Sequence, residues 1–157
     1  MTITNASFTI ERVLNASPAR VFAAYTTIEA KSAWFRAPAD IETLERHLDF
    51  RVGGTERFHA RWPSGMVTDF QATYHDIVEN ERIILVYDLF HDQNKLSVSL
   101  LTLEFRAEGD NTRLLHTEQG SYLVGGVEAV QGREHGTTWH IDNLVAVIEG
   151  REPRAFS

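Results

Sequence analysis

One long amphipathic helix near the C-terminus, preceded by a run of strands, constrains the fold of this chain more than any other feature. From Val127, the residues Val127, Val130, Glu134, Thr137, Ile141, Leu144 and Ile148 recur at steps of three and four, which places them on one helix face. The C-terminal half of that stripe is aliphatic, while its N-terminal half is polar and flanked by Gly132 and Gly136. A glycine inside a helix costs about 1 kcal/mol relative to alanine, so two of them a turn apart imply the close approach of another group. A sheet closing over such a helix would pack tightly at the aliphatic end and leave a chamber at the other. The expectation is a domain that holds a ligand.

The strands are read from alternation. Ser7 to Leu14 is β-prone, with Phe8, Ile10 and Val13, and is stopped by Asn15-Ala16-Ser17-Pro18. Ser17 can cap a short helix whose first turn accepts Pro18, and Val21, Phe22 and Tyr25 form its apolar face. Thr27 can cap a second short helix, through Ala30, Ala33 and Trp34, which ends before Pro38. Leu44 to Val52 alternates, with Leu44, Leu48, Phe50 and Val52 on one side, and Gly53-Gly54 is a hairpin signal. Thr55 to Trp62 places Phe58, Ala60 and Trp62 opposite Arg57, His59 and Arg61. Met66 to Val78 is long, Arg82 to Phe90 is almost continuously apolar, and Leu96 to Ala107 switches parity between Leu100 and Leu101, which predicts a β-bulge. Thr112 to Gln119 follows, then a glycine-rich hinge, Gly120 to Gly126, and the long helix. Short turns favour an antiparallel meander. The chain reads as one α+β domain over residues 1–157, with a core from 7 to 150 and a loose tail from 151 to 157.

Composition narrows the partners. A net charge of -7 disfavours nucleic acid and anionic membranes, because phosphate binding needs a basic surface. The absence of cysteine excludes disulfides and thiolate metal sites and is compatible with the cytoplasm. Met1 to Ala6 lacks the pattern of a signal peptide, and no apolar run reaches the ~20 residues of a membrane span. The expectation is a soluble, cytoplasmic protein.

Four segments carry a family resemblance. They are Phe8-x-Ile10-Glu11-Arg12-x-Leu14-x-Ala16-Ser17-Pro18-x-x-Val21-Phe22, the hairpin Asp49-x-Arg51-Val52-Gly53-Gly54, the strand-turn-strand Asp76-Ile77-Val78-Glu79-x-Glu81-Arg82-Ile83, and the helical Gly136-x-x-x-x-Ile141-Asp142-Asn143-Leu144. In this order they resemble the SRPBCC (START-like, Bet v-like) superfamily, and within it the branch named for the activator of the 90-kilodalton heat-shock-protein ATPase. The resemblance implies a helix-grip fold: a curved antiparallel sheet of about six or seven strands around one long C-terminal helix, with two short helices after the first strand. Thr137 stands where the branch usually has tryptophan, and Asn80 where it often has proline.

With concave apolar faces, Phe58, Trp62, Phe70, Tyr74 and Leu114 line the space facing the helix, and Trp34 and Phe35 sit at its rim. Aromatic walls with a few polar groups are the usual build of a small-molecule site, although the same residues could simply fill a core. His116 and Glu118 share the parity of Leu114 and should point inward, with Glu134 on the helix as their partner and Thr138 also facing the ligand. A His held by a carboxylate can act as a general base near neutral pH. The alternatives are a buried hydrogen-bond network and a parity slip near the strand end that leaves both side chains in water. His135 and His140 are five apart and fall on different helix faces, while His47, His59 and His75 lie on separate strands, so no metal and no cofactor is expected.

Three readings follow. The first is a binder of a hydrophobic or amphipathic small molecule between sheet and helix. The second is a polyketide-cyclase or dehydratase type of enzyme using the same cavity, with His116 and Glu118 moving protons. The third is a chaperone-associated interaction module, which the charged outer sheet face does not favour. Association into a homodimer through an edge strand or the outer sheet is left undecided by the sequence.

Overall fold

Among the described residues, seven antiparallel strands in the order β1-β7-β6-β5-β4-β3-β2 make one sheet, in which the first strand leaves the meander to pair with the last. The computed structural model describes residues 2–38 and 40–157. In chain order the elements are β1 (Thr4–Leu14), α1 (Pro18–Ala23), α2 (Ile28–Ser32), β2 (Glu42–Leu48), β3 (Thr55–Arg61), β4 (Val67–Val78), β5 (Arg82–His91), β6 (Asn94–Glu108), β7 (Asn111–Tyr122) and α3 (Gly126–Ile148). This is the helix-grip arrangement.

The two short helices start where their caps dictate. Ser17 Oγ accepts from the Arg20 amide at 3.3 Å, and Thr27 Oγ1 from that of Ala30 at 3.2 Å. Both bond otherwise orphaned amides of a first turn. The Arg20 guanidinium then donates to the Ile148 carbonyl at 2.7 Å, fixing α1 against the end of α3. That end is the dry one. Leu14, Val21, Ile83, Leu103, Leu114 and Leu144 are all 0–1% exposed there. Full burial of one such side chain contributes about 1.5–3 kcal/mol.

Gly53 adopts φ +83°, and a Cβ on Gly54 would lie 2.1 Å from the Asp49 carbonyl oxygen. The turn before β3 therefore needs both glycines.

Four local readings change. Parity runs unbroken through β6, with Ser97, Ser99, Leu101, Leu103 and Phe105 buried and Val98 and Leu100 exposed on the outer face. The bulge lies instead near Leu96, where the register against β5 shifts between Leu89 and Phe90. A second shift, between Thr43 and Glu45, makes Leu44 the extra residue of β2 and leaves it exposed beside Arg57 and His59. The strand also ends at Leu48, so Val52 is exposed rather than facing inward. Gly120 to Tyr122 complete β7 rather than a hinge, because they continue the pairing with Ser97 to Ser99. The tail 151–157 has no helix or strand, and the Trp139 indole donates to the Arg154 carbonyl at 3.0 Å.

Candidate functional site

Beyond the dry end, sheet and helix separate. A cavity of about 470 Å³ opens between β3, β4, β5 and the N-terminal half of α3. Its sheet wall is Phe58, Trp62, Phe70 and Leu89, and its helix floor is Ala129, Gly132, Arg133, Gly136 and Thr137. Gly132 and Gly136 do not admit a close neighbour as their sequence positions suggested. A Cβ at either would meet nothing within 4 Å, so they act by leaving space. Phe156 of the tail covers the mouth, its ring edge-on to Trp139 at 5.4 Å.

Behind it lies a smaller chamber of about 60 Å³, reached past Phe35, Phe70, Tyr87, Thr137 and His140, which line both spaces. Ionisable groups concentrate here. The Glu118 carboxylate accepts from the Tyr87 hydroxyl at 2.8 Å and lies 3.5 Å from Arg133 Nη1 and 3.6 Å from His116 Nε2. Burial opposes its charge, but His116, Arg133 and Tyr87 together hold its carboxyl below the ordinary carboxylate range. Arg133 also donates to the Tyr87 hydroxyl at 2.9 Å and to Ser97 Oγ at 2.8 Å, so the guanidinium is held from three sides. Burial pushes the His140 imidazole down to about 4, with Arg46, His116 and Lys31 adding to the effect.

A second buried pair closes the far wall. Lys31 Nζ donates to Glu56 Oε1 at 2.6 Å, and the Tyr74 hydroxyl donates to the same oxygen at 2.6 Å.

The structure distributes the sequence candidates unevenly. Phe58, Trp62 and Phe70 line the outer cavity, and Phe35 stands between the two spaces. Trp34, Tyr74, His116 and Glu118 line the inner chamber, with the Trp34 indole tied to the Ala24 carbonyl at 3.0 Å. Leu114 is wholly buried in the core and lines neither space. Glu134 is exposed and lines neither space. The inward cation one residue earlier, Arg133, takes the place assigned to Glu134 beside Glu118. Thr138 borders a shallow depression under the tail, with Asp142 and Arg154, instead of the cavity. Both differences have one cause. The cavity face of α3 runs through Ala129, Arg133, Gly136 and His140, rotated from the dry face at Ile141, Leu144 and Ile148.

The family described as Activator of Hsp90 ATPase homolog 1-like protein matches residues 15–149. The chain belongs to this family. An uncharacterized protein of Rhizobium leguminosarum is similar to it over 96% of this chain and 98% of its own, at 38% identity and a TM-score of 0.88. Mll3558 from Rhizobium loti shares 34% identity over 93% of this chain and 99% of its own, with a TM-score of 0.81. CV1439 from Chromobacterium violaceum shares 25% over 91% and 96%, with a TM-score of 0.73. No curated protein matches the chain significantly.

Within this Hsp90-activator-like family, the chain's Thr137 occupies the junction of the two spaces. Arg133, Tyr87 and His140 escaped the sequence reading, as did the Lys31–Glu56 pair. Two signals were available. Glu56 shares the parity of Phe58, and Ser97 and Ser99 share that of Leu101 and Leu103, which marks polar groups on a buried face. Among the described residues no group of three His, Asp or Glu side chains could hold a metal ion. Among the described residues no helix is long and apolar enough to cross a membrane.

Proposed function

We propose that this member of the family binds a hydrophobic or amphipathic small molecule in the space between sheet and α3. The observation that carries the reading is the cavity of about 470 Å³, whose walls are Phe35, Phe58, Trp62, Phe70 and Trp139 and whose polar groups are confined to a few positions such as Arg133 and His140. That volume falls within the ~300–1,000 Å³ of small-molecule sites. Aromatic walls supply contact area, at ~25 cal/mol per Å² of apolar surface removed from water, before the costs of association. The test is titration with an uncharged apolar dye, N-phenylnaphthylamine, followed by native mass spectrometry of protein exposed to host lysate. Saturable dye fluorescence displaced by a retained small molecule supports the reading. Protein that leaves the dye unbound and retains nothing overturns it.

A second reading, proton transfer on a bound ligand, is favoured by the buried imidazole of His116, whose Nδ1 and Nε2 have no hydrogen-bond partner within reach of Glu118 at 3.6 Å. His116→Gln separates the two readings. An enzyme loses turnover of its ligand by orders of magnitude, whereas a binder loses only modest affinity.

A further inference from the structure

The inner chamber says more about the ligand than the outer one. Its wall carries buried polar atoms without partners: Nδ1 and Nε2 of His116, Nδ1 of His140 and the hydroxyl of Tyr25. His116 is 6% exposed and Tyr25 3%, so bulk water does not satisfy them. A buried polar group left unbonded costs about 1–3 kcal/mol, and three side chains converging on one small space are unlike an ordinary packed core. Two permanent cations beside the inner chamber are already matched, while Arg36 lines only the outer cavity. Lys31 faces Glu56 at 2.6 Å, and Arg133 faces Glu118 at 3.5 Å. Arg46 lines neither space and stacks its guanidinium over Phe58 at 3.9 Å.

We infer that the ligand is an uncharged ring compound with one small hydroxyl or carbonyl group, which enters the inner chamber against His116, His140 and Tyr25 while the rings lie among the aromatics of the outer cavity. This rests on the cavity reading above and deepens it. The chamber, about 60 Å³ against about 470 Å³ for the outer cavity, limits the head group to a small polar group. An ionised head group would be desolvated there without a free counter-charge, which is costly. A hydroxyl or carbonyl meets donors and acceptors that lack partners. The His116 imidazole offers an N–H donor and His140, held neutral by burial, an unbonded Nδ1. The Tyr25 hydroxyl, its ionisation raised far above the usual range by burial, stays protonated as a donor. Thr137 at the junction leaves room for the ring edge to pass.

Equilibrium dialysis of the full chain at neutral pH against naphthalene, β-naphthol and β-naphthoate tests the inference. The rings are alike and only the head group differs. The expected result is β-naphthol binding at least tenfold tighter than naphthalene, with β-naphthoate the weakest. In His116→Phe and His140→Phe, checked for folding by circular dichroism, the preference for β-naphthol over naphthalene should disappear. If N-phenylnaphthylamine binds but β-naphthol has no advantage over naphthalene, or β-naphthoate binds tightest, the inference falls and the cavity reading stands. The wild-type comparison decides this even where a variant fails to fold. If neither the dye nor any of the three compounds binds, both fall together.

Discussion

Lys31 Nζ and Glu56 Oε1 lie 2.6 Å apart, with side chains only 7% and 1% exposed, and so clamp α2 to the start of β3 from inside the protein. The Tyr74 hydroxyl donates to the same carboxylate oxygen, while Glu56 Oε2 has no partner. A buried pair of this kind owes little of its strength to net attraction, because desolvating both ions offsets most of the Coulomb gain. Breaking it leaves one charge stranded.

Lys31→Met should therefore destabilise the protein by about 3–5 kcal/mol, while Lys31→Met with Glu56→Leu should recover much of that loss. Urea unfolding of the two variants checks the prediction. A double variant no more stable than the single one would show that the pair itself, and not the stranded carboxylate, sets the cost.

Acid should weaken the fold through His140. Its imidazole is held neutral by burial, down to about 4, whereas in the unfolded chain it returns to its ordinary value of 6.5. Between those values the unfolded chain binds the extra proton, so stability falls as pH drops from 6.5 to 4 and levels off below. The full effect is about 3 kcal/mol. Glu118, held below the carboxylate range, adds its own loss only at lower pH. Denaturation midpoints measured from pH 7 to pH 4 should show the slope in the wild type and a flatter one in His140→Phe.

Thr137→Trp should close the passage between the two spaces, since Thr137 lines both. N-phenylnaphthylamine affinity is expected to fall at least tenfold, while the new ring, entering open space, costs less stability than the ~1–3 kcal/mol of overpacking a filled core. Dye titration beside a thermal melt reads both quantities.

Phe156 covers the cavity mouth while remaining 42% exposed, and its neighbours Trp139 and His135 lie on α3. Phe156→Ala should raise both the association and dissociation rates of the dye by several-fold and leave its equilibrium affinity within about threefold. A cover that makes few contacts with the ligand gates passage more than it holds the occupant. Stopped-flow fluorescence distinguishes this from a wall residue, whose removal would change dissociation alone.

The elements and their order were legible because they rest on local rules. Ser17 and Thr27 cap the helices they were assigned, and the alternation that turns His116 and Glu118 inward in β7 is a property of any half-buried strand. The errors cluster where one extra residue or a fraction of a turn matters. A bulged residue in β2 carries Leu44 to the outer face, and the β6 parity switch inferred from the hydrophobic Val98 and Leu100 was a patch of exposed apolar surface. On α3, residues 133 and 134 differ by about 100° around the axis, so a modest rotation of the cavity face exchanges Glu134 for Arg133.

The sequence by itself determined the α+β class, the strand order along the chain, the dry end beneath Ile141, Leu144 and Ile148, and the inward aim of His116 and Glu118, because each follows from hydrophobic period and capping within a few residues. Only the tertiary structure decided that Lys31 meets Glu56, that Arg133 meets Glu118, and that Gly132, Gly136 and Thr137 border open space. Those facts depend on distances between residues far apart in the chain. They are set by how the sheet bends away from the helix, which no local pattern encodes.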